Sequence, residues 1–427
     1  MDNGALKAAG VCWDLGGLYT SPDDAQIEID LTEARRRAEA LAEAYRGKIE
    51  SGQIDGPTLA RALAEYEAIA ELQQKPAFYA SLLFAADTQN QRAQQLVQQT
   101  REAATDIENL LIFFTLELIA LEETQAAALL TASEIQDYRH YLESVRRFKP
   151  HTLSEKEEQL INLKSLTGKS AFKKLYSEYT SSFTFKFELD GEVKELTSTE
   201  LRALRQHPDA DVRHRAMDTF FTKFSDNKLI FTHVYNDIIK DYNIDRNLRG
   251  YSSSINVMNM NNDINDNAVN ALIDVTTESN TLVQRYYKLK RKMLGLNELT
   301  LSDIYAPLPN ASTTYTWSEA QKLVLDAFAS FDDEFHMLAK SMFDLNRIDG
   351  PAIPNKRGGA FCSSSTPDLK PYVLLNFTGK LRDVSTMAHE LGHAIHAMLS
   401  TSQHLFNYHP IMPLAETASV FSEMILN

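Results

Sequence analysis

Apolar residues recur at helical spacing through most of this chain, and the period changes in only two places. From Asp30 to about Leu130 they are set among Ala, Gln and Glu, all good helix formers. This predicts an antiparallel helical lobe. Thr32 with Arg35–Ala44 starts one helix, Gly56-Pro57-Thr58 marks a turn before another, and Pro76 marks the entry to Ala77–Leu130, which holds two or more. Thr131–Phe148 continues the pattern, and Ser154 with Glu157 forms a capping box for the next helix. The first change comes at Phe183–Leu189 and Glu192–Leu196, where alternation around Asp190-Gly191 predicts a hairpin. Helix returns over Thr199–Lys223 and Leu229–Gly250. Asn256–Asn270 is dense in asparagine, which suits turns and loops. A long helix is expected over Ala268–Leu294, then a loop over Leu296–Pro309, helices over Ser318–Phe331 and Glu334–Phe343, and a long connection over Asp344–Arg357. The second change comes at Gly358–Cys362 and Tyr372–Phe377, two short strands split by SSSTPDLKP. The expected fold is mainly α, with an N-terminal helical lobe over residues 1–200 that ends near the hairpin, and a second helical region over residues 201–427.

The most informative helix follows those strands. Thr378–Leu399 is apolar around most of its circumference through Val384, Met387, Ala388, Leu391, Ala394, Ile395 and Met398, so it is a buried helix. Buried histidines need partners, and His389-Glu390-Leu391-Gly392-His393 supplies a reason for them. Residues four apart share one helix face. The H-E-x-x-H spacing therefore lets His389 and His393 reach one Zn²⁺ ion, with Glu390 beside it as acceptor of a water proton. A catalytic zinc site takes a third protein ligand and keeps one position open. The candidates downstream are His396, His404, His409, Glu416 and Glu423. Three ligands on one straight helix would crowd the ion, so His396 is expected beside the ligands without binding the metal; His404 and His409 sit in a connecting loop. Glu416 and Glu423, seven apart, share a face of the apolar helix Leu414–Leu426, which suggests one ligand and one orienting group. Edge strands beside a metal can bind an extended peptide by backbone pairing, the alternative being a hairpin that only braces the helix.

The run GAFCSSSTPDLKPYVLLNFTGKLRDVSTMAHELGHAIHAML, with the later PLAETASVFSE, closely resembles oligoendopeptidase F and its relatives among the thimet oligopeptidase-like zinc metallopeptidases. The resemblance is strong from about Gly359 onward and weaker but collinear before it. It implies a zincin fold with helical lobes around a deep channel and a small β element beside the zinc helix. It implies one zinc ion per active site, with Glu416 as the third ligand and Glu423 supporting a ligand histidine from behind. It also implies hydrolysis of internal bonds in short peptides, with substrate contacts at Gly359, Ala360 and Phe361. Full-length members carry further histidine and tyrosine groups beyond the second zinc helix. On that comparison the expectation is a fragment completed by a companion chain, the alternative being a truncated, weakly active or inactive zinc-binding relative that binds peptides.

Composition removes other classes. With 58 acidic against 43 basic residues the formal charge is -15, which argues against a nucleic-acid partner, and runs such as Arg35–Arg37 read as solvated helix faces. Two cysteines, Cys12 and Cys362, are too few for a disulfide framework and fit a reducing compartment. LLIFFTLELIAL at 110–121 is too short to span a membrane and contains Glu117, and the first residues lack a signal-peptide pattern, so a cytoplasmic location is expected.

Overall fold

The computed structural model describes residues 8–308 and 314–427. It is mostly helical, 68%, with two small sheets. Helices α1 (Ala25–Tyr45), α2 (Gly56–Ala86) and α3 (Gln91–Ala120) each begin at an Asp or Asn cap, at Asp24, Asp55 and Asn90. They pack around Leu41, Leu59, Leu63, Ile69, Phe113 and Phe114, with short helices α4 (Glu123–Leu130) and α5 (Arg139–Arg146) closing the lobe. The Glu117 carboxylate, buried within α3, accepts from the backbone N–H groups of Gly47, Ile49 and Glu50, which ties down the turn after α1. Pro76 departs from expectation, because it lies inside α2 and not at its start. An interior proline costs roughly 3 kcal/mol. Burial of Ile69 before it and of Phe78, Tyr79 and Leu82 after it, in two separate cores, outweighs that cost.

Helices α6 (Glu155–Thr167), capped by the Ser154–Glu157 box, and α7 (Lys169–Ser181) lead to the antiparallel hairpin β1 (Thr184–Leu189) and β2 (Glu192–Thr197). Asp190 and Gly191 both hold positive φ, as a two-residue hairpin turn demands. Phe183, Phe185 and Phe187 bury against Leu201 of α8 (Ser198–Ala203) and Val212 and Ala216 of α9 (Ala210–Asp226), a cluster that runs across residue 200. After α10 (Lys228–Leu248) the asparagine-rich stretch is largely helical, contrary to expectation: α11 (Ser254–Asn261) and α12 (Asp266–Glu278) flank a short turn. Its asparagines act at the helix boundary, Asn265 as a cap and the buried Asn259 as a donor to Asp266. The long helix expected to 294 breaks at Ser279, and α13 (Asn280–Met293) follows. The loop expected to Pro309 is described as far as Leu308.

A fourth core is built from α14 (Trp317–Phe331), α15 (Asp333–Asp344), a three-stranded sheet and the helix α16 (Leu381–Leu399). The sheet order is β3–β5–β4, with β5 (Tyr372–Phe377) central, β3 (Ile348–Pro351) parallel to it and β4 (Phe361–Ser363) antiparallel at the edge. Strand β3 falls in what was expected to be an irregular connection. The buried Lys356 holds it there, pairing with the Asp349 carboxylate at 2.5 Å and donating to the Pro351 carbonyl at 2.8 Å. Residues near the start of the chain also brace this sheet: the Gly350 N–H donates to the Val11 carbonyl, and the Tyr372 hydroxyl to that of Asp14. Two further helices, α17 (Leu405–Tyr408) and α18 (Met412–Leu426), return the chain against α16. Among the described residues no helix is long and apolar enough to cross a membrane.

Candidate metal centre

Helix α16 starts where Asp383 accepts hydrogen bonds from the backbone N–H groups of Thr378 and Lys380, satisfying donors that a helix start leaves open. Its apolar side buries Val384, Met387, Leu391, Ala394 and Ile395 against the sheet. The opposite side faces α18. Gly392 makes that approach possible, since a Cβ there would lie 2.8 Å from the Ala418 carbonyl and 2.8 Å from the Ser422 Cβ. Ser419 and Ser422 are fully buried in the seam.

This contact brings two elements of the chain to one point. Nε2 of His389 lies 3.5 Å from Oε2 of Glu416, and Nε2 of His393 lies 3.9 Å from the same oxygen. Two ligands of a tetrahedral zinc ion stand about 3.3 Å apart, so the three atoms can close on one ion with little movement. Among the described residues, these three form the only such group of potential metal ligands. The donor set, two imidazole nitrogens and one carboxylate oxygen, suits zinc. The Glu416 side chain is 51% exposed, leaving the outer side of the site open.

The surrounding groups set the tautomers. Glu423 meets Nδ1 of His389 at 2.6 Å and receives a second hydrogen bond from the Ser385 hydroxyl, so the His389 ring presents Nε2 toward Glu416. Burial and the neighbouring His389 ring hold His393 below the usual imidazole range, which favours the neutral form that a ligand must take. Ser419 donates to Glu416 Oε2 at 3.1 Å. Glu390 is 6% exposed. Burial pushes its carboxyl up to about 7, against the opposing pull of His389 and of the Cys362 backbone N–H, while Glu416 and Glu423 add to the rise. A carboxyl in that range can both take and return a proton near neutrality.

Of the residues singled out in the sequence, His389, Glu390, His393, Glu416 and Glu423 come together. His396 lies close enough to influence His393 electrostatically, and no hydrogen bond joins it to His389, His393 or Glu416 among the described residues. His404 contacts Glu67 of α2 and His409 contacts the Ser365 carbonyl, so both loop histidines have partners away from the cluster. Gly359 and Ala360 lead into the edge strand, which Phe361 opens, and the Gly359 carbonyl accepts from Asn376 at 2.7 Å. Sequence reasoning missed Ser385, Gly392 and the Cys362 amide. Of these only Gly392 left a local signal, being a glycine inside an otherwise strong helix pattern.

Comparison with known proteins gives the family. Residues 203–427 match peptidase family M3, and residues 117–185 match oligopeptidase F. The chain belongs to peptidase family M3. It is 25% identical over 423 residues to an oligoendopeptidase F homolog of Borreliella burgdorferi, which covers 97% of this chain and 69% of that protein. It is 26% identical over 388 residues to oligopeptidase PepF of Bacillus subtilis, covering 90% and 57%. Among solved structures, PZ peptidase A superposes with a TM-score of 0.74 at 16% identity, over 92% of this chain and 67% of that one. Oligoendopeptidase F from Enterococcus faecium superposes at 0.64 and 20% identity, over 93% and 65%. These two likenesses concern the fold. The family M3 assignment makes the chain one of a family of peptidases, and its potential metal ligands lie within the matched region.

Proposed function

We propose that this M3 chain is a zinc-dependent endopeptidase acting on internal bonds of short peptides, with His389, His393 and Glu416 holding one zinc ion. The observation that carries this reading is the convergence of the two Nε2 atoms on one Glu416 oxygen, with Glu390 next to them on the same helix. Bound there, zinc would supply Lewis acidity toward a peptide carbonyl and toward water. The chain's own groups do the rest. Glu423 and Ser385 orient His389. Glu390 accepts the proton of the attacking water and returns it to the leaving amine nitrogen, a task suited to its raised carboxyl. The free edge of β4 holds the peptide backbone extended, with Gly359, Ala360 and Phe361 in contact with it. Helical lobes that admit short peptides and exclude folded proteins belong to the same proposal.

Glu390→Gln tests it. The variant should retain stoichiometric zinc and lose peptide turnover by at least about a hundredfold, the lower end of general acid–base contributions. Zinc-loaded E390Q that cleaves peptides at the wild-type rate would refute the assignment of the base. A second reading, zinc and peptide binding with little turnover by this chain alone, is favoured by the outward side of α18. Met412, Leu414, Val420 and Met424 of that helix stand exposed, while the ring of Phe421 packs against Phe331 and Phe335. Stoichiometric zinc without detectable cleavage in the unsubstituted chain would select it.

A further inference from the structure

A cavity of about 930 Å³ lies beside the approach to the edge strand. Its floor is the outer side of the hairpin core, where the half-buried rings of Phe220, Phe224 and Phe231 stack, Phe224 lying 4.6 Å from Phe220 and 4.8 Å from Phe231. Its wall includes Gly358, Gly359 and Asn376. A Cβ at either glycine would meet nothing within 4 Å, so this mouth is open. In a chain with 58 acidic residues, no Asp or Glu among the described residues lines the cavity, whereas Lys173, Arg202, Lys356 and Arg357 do. Lys356 is committed to Asp349. The other three are exposed at the rim, and none forms an ion pair with a carboxylate among the described residues. Arg202 lies over the Phe220 ring at 5.9 Å and Arg357 over Phe361 at 5.2 Å, contacts that place the guanidinium groups and leave their N–H donors free for an anion.

The cavity's distance from the reacting groups can be read along the backbone. The Cys362 backbone N–H is near enough to Glu390 to lower its carboxyl, and Gly359 precedes Cys362 by three residues. Strand β4 begins only at Phe361 and the chain before it bends at Gly359, where φ is +85°, so Gly359 stands at most about 10 Å, three extended residues, from Cys362. A peptide paired with this strand would reach the mouth within about three residues of the bond being cut.

We propose that this cavity is a substrate subsite, taking a large apolar or aromatic side chain next to a carboxylate, with Lys173, Arg202 and Arg357 binding the carboxylate. The inference rests on the peptidase reading of the neighbouring centre. The carboxylate has two sources, the peptide's C-terminus or an Asp or Glu side chain, and the test separates them. Fluorescence anisotropy on the Glu390→Gln chain would compare three labelled hexapeptides: one ending in Phe as the free acid, the same peptide amidated, and an amidated one ending Phe-Asp. The free acid, the Asp peptide or both should bind about tenfold more tightly than the plain amide, the scale of one or two partly exposed ion pairs. Whichever gains identifies the source. Lys173→Gln combined with Arg202→Gln should bring that ratio below twofold while the plain amide keeps its affinity, and Arg202→Glu should invert the preference. Equal binding of all three peptides, absence of binding, or a ratio that survives both sets of substitutions would overturn the subsite. Mass spectrometry of the same peptides with the unsubstituted chain judges the peptidase reading separately: failure to cleave any of them counts against that reading and leaves the binding ratio to stand or fall alone.

Discussion

Gly392→Ala offers the sharpest test of how the fold builds its metal centre. Alanine raises helix propensity by about 1 kcal/mol over glycine, so if propensity alone mattered this substitution in the middle of α16 would stabilise the protein. The packing predicts the opposite. The added Cβ would lie 2.4 Å from the Ser422 hydroxyl oxygen, 2.8 Å from the Ser422 Cβ and 2.8 Å from the Ala418 carbonyl, and the last two cannot be relieved by rotating a side chain. Ordinary contact begins at 3.4 Å, so α18 would have to retreat by about 0.6 Å from α16. Overpacking of this kind costs about 1–3 kcal/mol, enough to cancel the propensity gain and leave a net loss of about 1 kcal/mol. The larger effect falls on the metal. Glu416 rides on α18 while His389 and His393 ride on α16, and a metal site tolerates only about 0.2 Å in its ligand distances. Zinc affinity should fall at least about tenfold, the scale seen when supports of a metal ligand are disturbed.

Competition against a chromogenic chelator would measure that affinity, and thermal unfolding in the presence of excess chelator would measure the metal-free fold. Combining Gly392→Ala with Ser422→Gly removes two of the three close contacts and should restore part of the lost affinity. If Gly392→Ala kept zinc affinity within twofold and raised the unfolding temperature of the metal-free protein, close approach of the two helices would not be what positions Glu416.

Two further outcomes follow from individual contacts. Glu423→Ala removes the acceptor that holds His389 Nδ1 and should weaken zinc binding by about 10–100-fold with little change in the metal-free fold; the same chelator competition checks it, and an affinity within twofold of wild type would refute the orienting role. Asp303, joined to the buried Arg213 by hydrogen bonds at 3.1 and 2.6 Å, should make stability depend on acid. Burial alone would raise its carboxyl, but hydrogen bonds from Arg213, from the backbone and hydroxyl of Thr300 and from His214 hold it down to about 2. A carboxyl lowered on folding stabilises the native state above its unfolded value near 4, and that contribution, about 2 kcal/mol, is lost as pH falls toward 2, with roughly half gone by pH 3. Urea unfolding of wild type and Asp303→Asn between pH 6 and pH 3 should show the wild-type advantage shrinking by about 1 kcal/mol, and a difference constant across that range would contradict the assignment.

What the chain revealed before folding was whatever is encoded by neighbours in sequence. The H-E-x-x-H spacing, the Asp190-Gly191 turn and the Ser154–Glu157 box each act within a few residues, and each is found where its local chemistry placed it. Pro76 and β3 departed from expectation because partners far along the chain decide them, two separate cores for Pro76 and, for the strand, pairing with β5 and the Val11 carbonyl; in the asparagine-rich stretch the contact missed was nearer, Asn259 with Asp266 across the turn between two helices. The Arg213–Asp303 pair, 90 residues apart, left no local trace at all. Gly392 stands between these cases. Its contacts with Ala418 and Ser422 are tertiary, yet a glycine flanked by Leu391 and His393 lowers helix propensity where every neighbour needs the helix. A glycine inside a strong helix pattern usually has a packing reason, and here the reason is the close crossing of α18, the helix that brings Glu416 and Glu423 to the two histidines.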